Sequence, residues 1–170
     1  LNTAYNDLES ARQTYVMKAI PTIGTTFDLT FKVVNPTFDN GKTDGWTYTT
    51  GASNHGIASK NESAITGNFF ENWDWNSYIG NIEQTLIGLP TGVYTLKAAA
   101  FRDQLIEGAS DADAVYVFGN DAETLVYSAT PAMYAVENVL TYDGKITLGI
   151  KSKVATYKWM GIDNVSLIYA

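Results

Sequence analysis

Flat aromatic rings set among amides and acids are the clearest chemical signal in this chain. Trp73, Trp75 and Tyr78 crowd into FFENWDWNSYIGN, a stretch read as a long polar loop leading to a strand near Ile82. A ring face stacks on the apolar C–H side of a pyranose while neighbouring amides and carboxylates hold its hydroxyls, so this composition suits a saccharide. The competing reading puts one or more of the rings in a core, because Phe69, Phe70 and Trp73 border strand-like sequence. Trp75 and Tyr78 lie deeper in the polar part and are the residues expected at the surface. Arg102, just past KAAAF, carries a guanidinium that can grip hydroxyls in bidentate fashion; an ion pair with Asp103 or Glu107 is its other use.

Acid and nucleophile chemistry is less well marked. Glu71 and Asp74 flank the tryptophans, and Asp103, Glu107, Asp111 and Asp113 follow the KAAAF strand. Glycosidic hydrolysis needs two such carboxylates, but no spacing singles out a pair, and solvated loop acids are the plainer reading. His55, the only histidine, stands in GASNHG, and the chain has no G-x-S-x-G elbow, so it is read as a solvated loop residue. One histidine is also too few for the usual catalytic zinc set. The absence of cysteine excludes disulfides, thiolate metal sites and a cysteine nucleophile.

Hard-cation chemistry enters through NPTFDNGKTDGW, residues 35–46. Asn40-Gly41 and Asp44-Gly45 make it first a turn, with Trp46 opening the next strand as a core anchor. An EF-hand loop is excluded: Gly41 and Thr43 stand where a loop starting at Asp39 needs further oxygen ligands, and no glutamate closes it. A site shared with another strand is still available to Asp39. Its natural second member is Asp163 in WMGIDNVSL, an acid among apolar residues that requires a partner or a cation once buried.

The elements that must position these groups follow from periodicity. Residues 2–20 place Ala4, Tyr5, Leu8, Ala11, Tyr15, Val16 and Ala19 on one side of a helix that Pro21 stops. From Phe27 onward the period is two: Ile146, Leu148 and Ile150 alternate with Thr147, Gly149 and Lys151, and Tyr94, Leu96, Ala98 and Ala100 share a face. Similar runs cover 27–34, 46–50, 57–60, 82–87, 114–118, 124–128, 134–140 and 162–169, with turn signals at Asn40, Leu89, Gly119 and Tyr142. About ten short strands without intervening helices predict an all-β jelly-roll β-sandwich with one N-terminal α-helix. The expected division is a helix over 1–22 and a sandwich over 23–170, the helix either docked on the flank or ending an upstream segment.

Composition sets the outer limits. A chain of 170 residues makes one domain with a small appendage. Hydrophobic residues at 45% against 17% charged mark it as globular. A formal charge of -7 with scattered Lys and Arg argues against a nucleic-acid partner, and no apolar run is long enough for a membrane span. Leu1 in place of a start methionine suggests a processed or excised piece of a longer protein.

Three segments, NPTFDNGKTDGW, IEQTLIGLPTGVYTLKAAAF and WMGIDNVSLIY, give the chain its family likeness. In this order it resembles the galactose-binding-domain-like carbohydrate-binding modules appended to secreted glycoside hydrolases of gut Bacteroidetes. The resemblance implies a jelly roll that binds glycans without catalysis and holds a structural calcium ion near its first and last strands. It maps the calcium acids to Asp39 and Asp163, with backbone carbonyls such as that of Thr37 or Gly41 completing the set. No motif of the family reaches Trp73, Trp75 or Tyr78, whose assignment rests on residue chemistry alone. Trp46 and Trp159 occupy positions that brace such sandwiches. The implied partners are an oligo- or polysaccharide and neighbouring domains of the same chain, and the implied location is secreted, periplasmic or cell-surface. A structural spacer or protein-interaction module, and a small glycan hydrolase or lyase, are the competing functions.

Overall fold

Alternating burial builds two antiparallel sheets. The computed structural model of the protein describes residues 2–18, 25–104 and 114–169. Helix α1 covers Asn2–Lys18; the strands are β1 Phe27–Asp28, β2 Thr47–Thr50, β3 Asn54–Glu62, β4 Ile65–Trp73, β5 Gly80–Leu86 and β6 Gly92–Asp103. They continue with β7 Val115–Gly119, β8 Ala122–Leu125, β9 Ala132–Thr141, β10 Ile146–Ser152 and β11 Trp159–Tyr169. One sheet has the order β3-β4-β11-β6-β9 with β1 also paired to β11, and the other runs β2-β5-β10-β7-β8. This is the all-β sandwich that the alternation predicts.

The core lies between the sheets. Tyr94, Leu96, Ala98 and Ala100 of β6 face Ile146, Leu148 and Ile150 of β10 within one buried cluster, each fully buried large apolar side chain contributing roughly 1.5–3 kcal/mol. Trp46 anchors this core as expected: its ring lies 5.4 Å from Phe38, and its Nε1 donates to the Val34 carbonyl at 2.9 Å. A smaller cluster of Ile65, Phe69, Ala99 and Phe101 sits on the outer face of the first sheet, so that face is apolar in its middle too.

Three expectations change. FFENW is the end of strand β4 rather than a loop, paired from Phe69 to Trp73 with Ala58 to Asn54 of β3. The run 27–34 yields a two-residue strand and a 3-10 turn, Thr30–Lys32, because Val34 N–H turns aside to the Gln84 side chain at 2.7 Å. The described part of the apolar stripe of α1, Ala4, Tyr5, Leu8 and Ala11, is exposed, and the Arg12 guanidinium lies 6.0 Å from the Phe31 ring; Tyr15, Val16 and Ala19 lie outside the described side chains. Among the described residues, no helix is long and apolar enough to cross a membrane.

Candidate ligand-binding cleft

Register decides which residues meet on the outer face of the first sheet. Trp73 of β4 pairs with Asn54 of β3 and with Trp159 of β11, and Trp159 pairs in turn with Asp103 of β6. One row across the sheet therefore reads Asn54, Trp73, Trp159, Asp103, and directly cross-strand side chains share a face. The next row inward is Gly56, Glu71, Gly161, Phe101. Gly161 is required there: a Cβ would fall 2.4 Å from the Phe101 ring. Two glycines in the second row leave a hollow beside the two indoles. Glu71, Trp73, Gln104 and Trp159 line this cleft of about 210 Å³.

The cleft is held rigid by its own contacts. Trp159 Nε1 donates to Glu71 Oε2 at 2.9 Å, and its ring stands edge-on to Phe101 at 4.9 Å. Lys60 places its ammonium 4.6 Å from the centroids of both rings and pairs with Glu62 at 2.7 Å. Burial pushes the Glu71 carboxyl above its ordinary range, against the lowering effects of the Trp159 bond and the Lys60 charge.

The predicted residues divide. Trp73 lines the cleft, half-buried, and Trp75 stands edge-on to it at 5.5 Å with 75% of its surface exposed. The loop base under Trp75 is tied by Asp74, which accepts from Asn76 N–H at 2.9 Å and Ser53 N–H at 2.7 Å. Those donors, led by Asn76, hold the Asp74 carboxyl down to about 2. Tyr78, expected at the surface, is only 5% exposed: its ring packs against Tyr157 at 5.1 Å, and its hydroxyl donates to the Asn72 carbonyl. Arg102, expected to reach hydroxyls, is 3% exposed, and its Nε donates to the Val126 carbonyl at 2.8 Å. An even position on β6 faces the core, which explains the second correction; a hydroxyl small enough to reach a buried carbonyl explains the first.

Asp74 is committed to backbone donors and Glu71 to Trp159, so these two do not form a free hydrolytic pair. Asp103 accepts from Gln104 N–H at 2.6 Å, whereas Glu107, Asp111 and Asp113 lie outside the described residues. His55 is exposed but sits in strand β3, its ring 4.9 Å from Tyr48.

A second site forms where β11 changes partner. β4 pairs with β11 up to Ile162, and β1 takes the same edge only at Ile168. In the gap, β11 bulges after Asp163, and Val165 N–H bonds to the Pro36 carbonyl at 2.9 Å. That bond brings the loop of Thr37 and Asp39 to Asp163. Phe38, at φ 52, drives its ring into the core and leaves Asp39 exposed, with Thr37 Oγ1 donating to Asp39 Oδ2 at 2.8 Å. Asp163 is 1% exposed, and its Oδ1 has no hydrogen-bond partner. Burial first, with help from the Asp39 charge and against the Asn164 N–H, pushes its carboxyl up to about 7. An orphaned buried oxygen facing a second acid fits a hard cation. Among the described residues, no group of three or more acids or histidines gathers, so the other ligands of such a cation would be carbonyls or water.

Among solved structures, TmCBM61 in complex with β-1,4-galactotriose shares this architecture, at a TM-score of 0.64 and 15% identity over 82% of this chain and 98% of its own. The fold is that of a β-sandwich carbohydrate-binding module. The CBM22-1-GH10 portion of Clostridium thermocellum endo-1,4-β-D-xylanase 10B, complexed with xylohexaose, matches 79% of this chain and 28% of its own at 0.54 and 13% identity. A cyclase from Fischerella sp. TAU matches 86% of this chain and 98% of its own at 0.61 and 16% identity. The carbohydrate-binding-module fold thus serves binding and cyclisation alike. No protein-family model and no curated protein matches the chain.

Three residues of the cleft, Glu71, Gln104 and Trp159, were not singled out as binders by sequence reasoning; Glu71 entered only as a candidate hydrolytic acid. Trp159 was assigned to bracing, which it does through Phe101, yet it also walls the cleft. Gln104 lies just past the end of β6. The alternation of WMGID held the signal for Trp159: Met160 and Ile162 are buried in the core, so Trp159, Gly161 and Asp163 must point the other way.

Proposed function

We propose that this chain is a non-catalytic carbohydrate-binding module of a secreted or cell-surface glycan-degrading protein. The observation that carries the reading is the pairing of Trp73 and Trp159 across β4 and β11, with Glu71 and Gln104 beside them and Trp75 exposed at the rim. Indole faces take the C–H side of a pyranose, and Glu71 Oε1 and the Gln104 amide take hydroxyls. Rings at a cleft rather than between the sheets support a binder over a spacer. A structural calcium ion would be held by Asp39 and Asp163 with carbonyls of the 35–41 loop, Thr37 among them, and would supply the positive charge that Asp163 lacks.

Isothermal titration with β-1,4-galactotriose and xylohexaose tests the reading. Saturable heat that Trp73→Ala abolishes supports it; no heat with either, nor with a broader glycan array, overturns it. The cyclases of the same fold and the raised Glu71 carboxyl support a second reading, in which Glu71 acts as a general acid on a ligand held between the indoles. Turnover of a bound ligand that Glu71→Gln eliminates would establish that reading instead.

A further inference from the structure

A second groove of the protein lies far from the tryptophans. It has a volume of about 590 Å³ and runs between the β7–β8 turn and the β9–β10 turn. β6 relates the two places: it starts at Gly92, opposite Thr141 of β9, and ends at Asp103, opposite Trp159. Twelve residues of strand at about 3.3 Å each put the groove and the cleft roughly 35 Å apart, at opposite ends of the sandwich.

One asparagine locks the two turns together. Asn120 Nδ2 donates to the Leu140 carbonyl at 2.7 Å and the Lys145 carbonyl at 3.2 Å, and its Oδ1 accepts from Thr147 N–H at 2.9 Å. Thr141 Oγ1 accepts from Lys145 N–H at 2.9 Å, and Gly144 lies against the Leu89 carbonyl, where a Cβ would come within 2.7 Å. The groove walls are therefore preorganised, and little ordering is required of them when a ligand binds. On this frame Tyr142 holds its ring 84% exposed, and Asp121 and Asn138 are exposed beside the same groove. Lys145 keeps an ammonium there, only loosely opposed by Asp143 at 3.9 Å. A ring face, a carboxylate, an amide and an ammonium on a rigid groove supply stacking together with donors and acceptors for hydroxyls, which is the chemistry of saccharide recognition.

We propose that this groove is a second saccharide-binding site, with Tyr142 as its stacking platform and Asp121, Asn138 and Lys145 as its hydroxyl contacts. The proposal rests on the carbohydrate-binding reading of the chain. Two sites at opposite ends would let one molecule contact two stretches of polysaccharide, and linked contacts bind more tightly than either alone.

The test is two-dimensional NMR titration of the full chain with β-1,4-galactotriose and, separately, xylohexaose. The expected result is two saturating sets of shifts, one at the indoles of Trp73, Trp75 and Trp159 and one at 120–121 and 138–145. Tyr142→Ala, a change at an exposed position, weakens the second set about tenfold and leaves the first in place. Trp75→Ala does the reverse. Shifts confined to the tryptophans, or a second set indifferent to Tyr142→Ala, overturn the second site and leave the main reading standing. Shifts confined to 120–121 and 138–145 support the groove and move the module's binding away from the cleft. No shifts with either sugar, nor with any glycan of the broader array, overturn both.

Discussion

Trp75 and Tyr78 are three residues apart in a polar run, and they end in opposite environments. Among the described residues the Trp75 indole has no hydrogen-bond partner and its ring stays exposed, whereas the Tyr78 hydroxyl finds the Asn72 carbonyl and lets its ring join Tyr157 inside. Trp75→Ala is expected to weaken saccharide binding by about tenfold with little change in Tm, read by titration calorimetry and thermal melting. Tyr78→Phe is expected to leave binding unchanged and cost about 1–3 kcal/mol in urea denaturation, because the buried Asn72 carbonyl loses its donor. Glu71 adds a pH signature. Burial raises its carboxyl, so it protonates at a higher pH than an exposed glutamate, and its acceptor role fades on mild acidification. Affinity should fall as pH drops toward the carboxylate range, and Glu71→Gln should flatten that profile while keeping an oxygen for Trp159. The aromatic composition was legible in sequence; the sorting of these rings was not, since it depends on a partner for each polar atom.

At the scale of elements, β11 carries both sites. Its first half pairs with β4 and sets Trp159 beside Trp73; its bulge exposes Asp163 to the 35–41 loop. Asp163 ionises near 4 when unfolded and near 7 when folded, so between these values the folded chain binds more protons. The stability it contributes is complete below about pH 4 and is lost as pH rises through about 7. In chelator, Tm should fall over that window, and Asp163→Asn should remove the fall. Calcium at about 100 times its Kd should add about 2.7 kcal/mol at neutral pH, or roughly 5–10 °C in Tm, and Asp163→Asn should abolish the gain. A melt indifferent to both calcium and chelator would remove the cation from this site. The isolated acid of WMGIDNV was visible in sequence; the partner change that leaves its Oδ1 without a donor arises only from pairing.

At the scale of the whole molecule, the helix and the sandwich are unequal. The described side chains of α1 are largely exposed and contribute none of the buried core, whereas the two sheets enclose it between them. Deleting residues 1–24 is therefore expected to leave the β spectrum, the cooperativity of unfolding and saccharide affinity unchanged, with Tm within a few degrees, measured by circular dichroism and calorimetry. A loss of cooperative unfolding would make the helix part of the domain. The charge of -7 acts at this scale too, repelling acidic polymers of any kind.

The sequence by itself determined the fold class, the turns, the core anchor at Trp46 and the acid stranded in an apolar strand. These are local facts, set by a period of two and by residues whose backbone or charge permits few environments. Only the tertiary structure decided where a ligand could sit. Glu71 meets Trp159 across 88 positions, and Trp73 meets Trp159 through a register that no local pattern encodes. The same register turned Arg102 inward and closed Tyr78 into the core. A cleft on a sheet is a property of neighbouring strands, and the identity of the neighbour is settled by the packing of both sheets at once.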